Sequence, residues 1–189
     1  ENDKLIYLNK IALPGKHNLS NLLAAATVAH FMHIPNKHIE KIMATFTGVP
    51  HRLEPVVTLQ GVDYVNDSKA TNIDSVKVAL DSFNKSIILI LGGQYKGGNF
   101  KKLLPHANNI KAVLAYGQAH QTIETALGDA VRLYIFDNLK DAVSKSQSLA
   151  SPGDIVLLSP GCASFDQFDN FEHRGDLFKQ WVSQLEEQK

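Results

Sequence analysis

Four short runs of consecutive apolar residues constrain this chain most: SIILIL at 86–91, KAVLAYG at 111–117, LYIF at 133–136 and DIVLL at 154–158. A strand apolar at every position, not every second one, has both faces buried. Such strands belong to parallel sheets covered on two sides. Between them lie segments that read as helices: FKKLLPHA, the stretch from Gln118 to Leu127, and LKDAVSKSQSLA, with NFEHRGDLFKQWVSQLEEQ after the last. Strands alternating with helical segments predict a doubly wound, mostly parallel, Rossmann-like α/β sheet. LEPVVTLQ and GVDYVND precede this series and predict a strand pair turning at Gln60-Gly61.

The pattern changes near Thr47. Upstream, residues 5–13 predict one strand. LPGKHNLSNLLAAATVAHFM predicts an Ala-rich helix with Asn18 and Ser20 as caps, and NKHIEKIMATF a second helix opened by Pro35-Asn36. So small a piece cannot bury a helix as apolar as LLAAATVA alone. Residues 1–47 are therefore expected to be the end of a domain whose beginning is absent, and residues 48–189 a complete one.

Composition narrows the class. At 189 residues and 44% hydrophobic, the chain has material for one well-buried domain, and its formal net charge of zero gives no reason to expect nucleic acid or an anionic membrane as partner. The amino terminus, ENDKLIYLNK, lacks a secretory pattern, and SIILILGG is far shorter than the roughly 20 residues of a membrane span, so a cytoplasmic chain is expected. The single cysteine, Cys162, excludes an internal disulfide and a thiolate zinc cluster. It reads as a small buried filler.

Open parallel sheets bind ligands beyond the carboxyl ends of their strands. The segments falling there are VNDSKATN (65–72), GGQYKGGNF (92–100), YGQAH (116–120) and SPGCASFDQFDNF (159–171). VNDSKATN concentrates a carboxylate, an ammonium, hydroxyls and amides in eight positions. An Asx-turn with a cap from Asp67, Ser68, Thr71 or Asn72 explains some of them but not Lys69. GGQYKGGNF suits backbone approach to an anion met by Lys96, yet matches neither G-x-G-x-x-G nor G-x-x-x-x-G-K-[ST], and is also compatible with a plain strand-to-helix loop. In SPGCASFDQF, Ser159 and Ser164 could present hydroxyls to a carboxylate or cap a turn.

Taken in order, PGKHN, HN-x-x-N, TGVPHR, NDSKATN, GG-x-x-K and SPGCASFDQFDNFEHRG resemble the Mur ligases over essentially the whole chain. Within that family NDSKATN resembles the branch that adds D-glutamate; the Asp-Asn-Pro-Arg expected of the meso-diaminopimelate-adding branch is absent. The resemblance implies an ATP- and Mg²⁺-dependent amide ligase of peptidoglycan precursor synthesis, acting as a monomer. It activates the carboxylate of UDP-N-acetylmuramoyl-L-alanine as an acyl phosphate, which the amine of D-glutamate attacks. It also implies three domains. This chain would hold the end of the central ATPase domain and the whole third one, with the phosphate loop and metal ligands outside it and no activity alone.

Carried over by motif, Lys69, Thr71, Lys96, Ser164 and Phe171 resemble residues that hold D-glutamate, with Lys69 also placed as catalytic. Asn18 and Asn21 resemble a pair contacting adenine, while Arg52 and Asp67 resemble ribose and phosphate contacts. On pattern alone Asn18 reads as a helix cap, Phe171 is equally compatible with a core side chain, and His17 and His51 are assigned no chemistry. A non-catalytic amino-acid or nucleotide-binding module is the alternative. A dinucleotide oxidoreductase is disfavoured by the missing G-x-G-x-x-G.

Overall fold

The structure, a computed structural model, describes residues 5–13 and 16–186, without the side chains of residues 16, 17 and 186. It divides into two units, residues 1–49 and 50–189. In the first, helix α1 (Lys16–Phe31) and helix α2 (Asn36–Thr45) pack through Leu22, Ala26, Ile39 and Met43. The strand expected over 5–13 is absent: a 3₁₀ turn, Leu8–Lys10, stands there. A strand needs a ladder partner. The backbone here instead donates Ala12 N–H to the Met43 carbonyl at 3.2 Å. Asn18 and Ser20, expected as caps, are the third and fifth residues of α1; the breakers Pro14 and Gly15 fall outside the described residues.

The second unit carries one six-stranded sheet in the order β1-β2-β6-β3-β4-β5. The strands are β1 (Glu54–Leu59), β2 (Val62–Asn66), β3 (Ile87–Gly92), β4 (Ile110–Tyr116), β5 (Leu133–Phe136) and β6 (Ile155–Gly161). β1 and β2 form the expected hairpin, turning through Gln60 and Gly61, both at positive φ (53° and 79°). Among the described residues this pair is the antiparallel one in the sheet, and the other pairings are parallel. β1 is irregular, with Val56 inserted between Pro55 and Val57. At the opposite margin, Arg132 and Lys145 both lie over the Tyr134 ring of the four-residue β5, at 5.2 and 5.6 Å.

Alternation explains why the apolar runs are continuous. Ile87, Leu89 and Leu91 of β3 belong to one core cluster, and Ile88 and Ile90 to another. β4 and β6 divide in the same way, so each strand feeds two cores. Helix α3 (Ile73–Asp81), a 3₁₀ stretch over Phe100–Asn109 and helix α4 (His120–Leu127) cover the first; helices α5 (Leu139–Leu149) and α6 (Phe171–Glu186) cover the second. Five consecutive fully buried residues on β3, at about 1.5–3 kcal/mol each, make it the centre of the unit. FKKLLPHA forms the 3₁₀ stretch where an α-helix was expected, because Pro105 lacks an N–H and obstructs the preceding turn. The final helix is described to Glu186; its expected residues 187 and 188 lie outside the described range.

Candidate functional site

The helices after β2 and β3 cover one face and the helix after β6 covers the other, and β6 lies between β2 and β3. That reversal is the topological switch point where open sheets leave a crevice. Three of the four polar loops meet there. With strands about 4.8 Å apart, the loops after β2 and β3 start roughly 10 Å from each other, separated by the β6 loop.

The β2 loop is fixed from inside. Asn66 donates through Nδ2 to Glu54 Oε2 (2.9 Å) and lies 3.0 Å from His51 Nδ1, while its Oδ1 accepts from Ser68 N–H (3.1 Å). On the other side of the ring, His51 Nε2 faces Asp176 Oδ1 at 3.8 Å. Asn72, among the expected capping residues, caps α3 by accepting from Ser75 N–H at 2.9 Å.

Asp67 is buried. It accepts from Leu53 N–H (3.1 Å) and from the Ser159 hydroxyl (2.8 Å). Burial pushes its pKa up to about 6, against the pull of those two donors and of the Arg52 charge. The turn it grips is strained: His51 and Leu53 both have positive φ, 63° and 45°. Left-handed geometry costs a β-carbon residue roughly 1–2 kcal/mol. Three bonds hold it: Leu53 N–H to Asp67, His51 N–H to Glu54 Oε2, and Lys69 N–H to the His51 carbonyl. Arg52, between the strained residues, is left exposed.

The rim above is cationic. Lys69 is exposed with Nζ 5.6 Å from the centre of the Phe171 ring, and Lys96 is exposed with Nζ 5.2 Å from the Phe165 ring. The Gly-rich loop reaches the β6 loop by an antiparallel bridge, Gln94 N–H to Ala163 O (2.9 Å) and Ala163 N–H to Gln94 O (3.2 Å). Ser68 Oγ donates to the Phe171 carbonyl at 2.7 Å, tying the β2 loop to α6. Ser164 is buried, with its carbonyl accepting from Gln167 and Phe168 N–H; Thr71 is exposed.

Of the expected site residues, the structure therefore groups Lys69 with Phe171, Lys96 with the segment that contains Ser164, and Arg52 with Asp67. Asn18 and Asn21 stand three apart on α1 in the first unit, Asn21 exposed.

Pattern reading missed the centre of this arrangement. Arg174 on α6 is fully buried, donating from Nε to Ser68 Oγ (2.9 Å), from Nη2 to Ser68 O (2.8 Å) and from Nη1 to Cys162 O (3.2 Å). Beside it, the Tyr116 hydroxyl is buried and, among the described residues, has no partner at hydrogen-bond geometry; burial lifts its pKa to about 12 although the nearby guanidinium opposes the rise. Burial likewise pushes the Cys162 thiol up to about 12, which leaves it inert at neutral pH. The signal for Arg174 was its place on the apolar stripe Phe171, Arg174, Phe178, Val182, Leu185. Nothing local marked Phe165.

This is an α/β domain of doubly wound type, with exposed lysines on the two loops that flank β6 and a buried arginine on α6 that joins the β2 loop to the β6 loop. A family model described as "Mur ligase, glutamate ligase domain" matches residues 51–162, and the chain belongs to the Mur ligase family. Similar proteins include UDP-N-acetylmuramoylalanine–D-glutamate ligases of Salinibacter ruber, 44% identical over 98% of this chain and 41% of that one, and of a Geobacillus species, 46% identical over 93% and 40%. The chain spans about two fifths of the length of these curated relatives. Among solved structures, the fold is shared with UDP-N-acetylmuramate-alanine ligase MurC of Thermotoga maritima (TM-score 0.69, 14% identity, 94% of this chain and 39% of that one). It is shared also with MurF of Thermotoga maritima in complex with ADP (TM-score 0.67, 15% identity, 92% and 40%).

Proposed function

We propose that this chain is the amino-acid-binding part of an ATP-dependent ligase that joins D-glutamate to UDP-N-acetylmuramoyl-L-alanine in cytoplasmic peptidoglycan precursor synthesis, acting as a monomer. One observation carries the reading: two exposed lysines on the loops flanking β6 stand over Phe171, at the start of α6, and over Phe165, next to Ser164 in the loop after β6. Two ammonium groups suit the two carboxylates of glutamate. An ammonium over an exposed ring is worth about 0.5–1 kcal/mol, a charge-assisted bond to a carboxylate about 1.5–3 kcal/mol. The carboxylate contact is thus the stronger of the two, and an ammonium whose one side rests on a ring keeps its other side free to meet it.

In this reading Lys69, Thr71, Lys96 and Ser164 hold the carboxylates and Phe171 packs on the methylenes, leaving the amine free to attack. Lys69 is the residue assigned to the reacting end. For the nucleotide, Asn18 and Asn21 are assigned to adenine and Arg52 to ribose or phosphate. Both carboxylate oxygens of Asp67 already accept bonds within the fold, so Asp67 serves that site by fixing the turn that exposes Arg52. ATP supplies the phosphate that activates the acceptor's carboxylate. Following the family resemblance, the proposal gives Mg²⁺ coordination to residues other than those described. No described helix is long and apolar enough to cross a membrane.

Residues 1–47 are proposed as the end of a central ATP-binding domain and 48–189 as the amino-acid domain. Chemical-shift titration with D- and L-glutamate tests the reading. Weak binding of the D enantiomer, with perturbations at Lys69 and Lys96, is expected. Equal uptake of both enantiomers, binding by neither, or binding of NADH instead would overturn it.

A further inference from the structure

Among the described residues of the second unit, Phe165 is the most exposed large apolar side chain, at 60% of its surface. It stands in the loop between β6 and α6, where a polar residue would cost nothing in packing. Its neighbour is informative. Gln94 and Ala163 form the bridge between the two loops, and two residues beyond each lie Lys96 and Phe165, with the ammonium 5.2 Å from the ring centre. No carboxylate stands within ion-pair distance of Lys96 among the described residues, whereas Lys85, Lys102, Lys111 and Lys179 all have one. The Gly-rich loop offers little rigidity of its own, since Lys96 is followed by two glycines, the first at φ +88°. A long, mobile side chain on such a loop would otherwise sample many rotamers.

We propose that Phe165 is a positioning residue for the amino-acid site: its ring face holds the Lys96 ammonium at the carboxyl rim of the sheet, ready for one carboxylate of a dicarboxylic amino acid. This rests on the proposed glutamate-binding reading and adds to it a determinant of selectivity for two carboxylates over one. The ring acts through its negative face, not its bulk. Tyrosine should therefore substitute for it and leucine should not, although leucine is equally apolar.

The test uses the 189-residue chain. In NMR spectra with labelled lysine, the Lys96 ε-methylene should be shifted upfield by ring current in the parent and in Phe165→Tyr, but not in Phe165→Leu, while Lys69 keeps its shift in all three. Titration should show D-glutamate binding weakened about two- to five-fold in Phe165→Leu, restored in Phe165→Tyr, with binding of D-glutamine, which lacks the second carboxylate, unchanged throughout. Thermal unfolding should not move, because the ring is exposed. An unshifted Lys96 in the parent, or equal D-glutamate affinity in the leucine variant, overturns the proposal while leaving the glutamate reading intact. A parent that binds no D-glutamate overturns both.

Discussion

Arg174 donates to Ser68 twice, from Nε to the hydroxyl and from Nη2 to the carbonyl, with no aqueous exposure. A helix that covers one face of the sheet thus grips a loop that leads to a helix on the other face. Only a rigid fork can serve two acceptors of one residue in this way.

Arg174→Lys should therefore destabilise the second unit by about 2–3 kcal/mol, since one compact ammonium cannot reach Ser68 Oγ, Ser68 O and Cys162 O together, and buried acceptors are left unpaired. Urea unfolding of parent and variant measures it. A loss below about 0.5 kcal/mol would show that the fork contributes nothing.

Asp67 gives a pH dependence of unusual sign. Burial raises its pKa from 3.8 to about 6, so between those values the folded chain holds a proton that the unfolded chain has released. Its contribution to stability falls as pH rises through that window, and the full cost, about 3 kcal/mol, is present above pH 6. Asn at this position can accept from Leu53 and donate to Ser159. Asp67→Asn should be more stable than the parent at pH 7.5, with the gain vanishing near pH 4. Asp63, held low by its bond to Lys85 and then by Thr58, works in the opposite direction, so the difference between variant and parent is the quantity to follow.

Gly175 sits inside α6, where alanine would ordinarily favour the helix by about 1 kcal/mol. A β-carbon there would run into His51 Nδ1 and Asn66 Nδ2. Overpacking at about 1–3 kcal/mol outweighs the propensity gain. Gly175→Ala should thus lower the melting temperature and, by displacing the turn that holds Lys69 N–H, weaken D-glutamate binding.

Lys69→Ala and Lys96→Ala should each reduce affinity for D-glutamate about ten-fold or more, the scale of one charge-assisted contact. Calorimetric titration checks this, and an unchanged dissociation constant removes that lysine from the site.

The sheet was legible because its information is local: an uninterrupted apolar run such as IILIL admits few placements, and Gln60-Gly61 marks its own turn. The segment 5–13 has a similar composition but forms no strand, because strand formation depends on a pairing partner that no window of sequence reveals. The lysines stood out as charges among turn residues. Arg174 did not, since an arginine within a helix looks like surface until its burial is seen. Phe165 was hidden for a related reason: its relation to Lys96 exists only through the Gln94–Ala163 bridge, which joins loops some seventy residues apart.

Both margins of the sheet are blunted, one by Pro55 and the inserted Val56, the other by brevity and by two cations crowding Tyr134. A neighbouring molecule in search of an unpaired backbone finds no straight, uncharged border to extend. Excised from its first 49 residues, the second unit should consequently remain dispersed at high concentration and resist growth into fibrils, a property that light scattering over several days can establish.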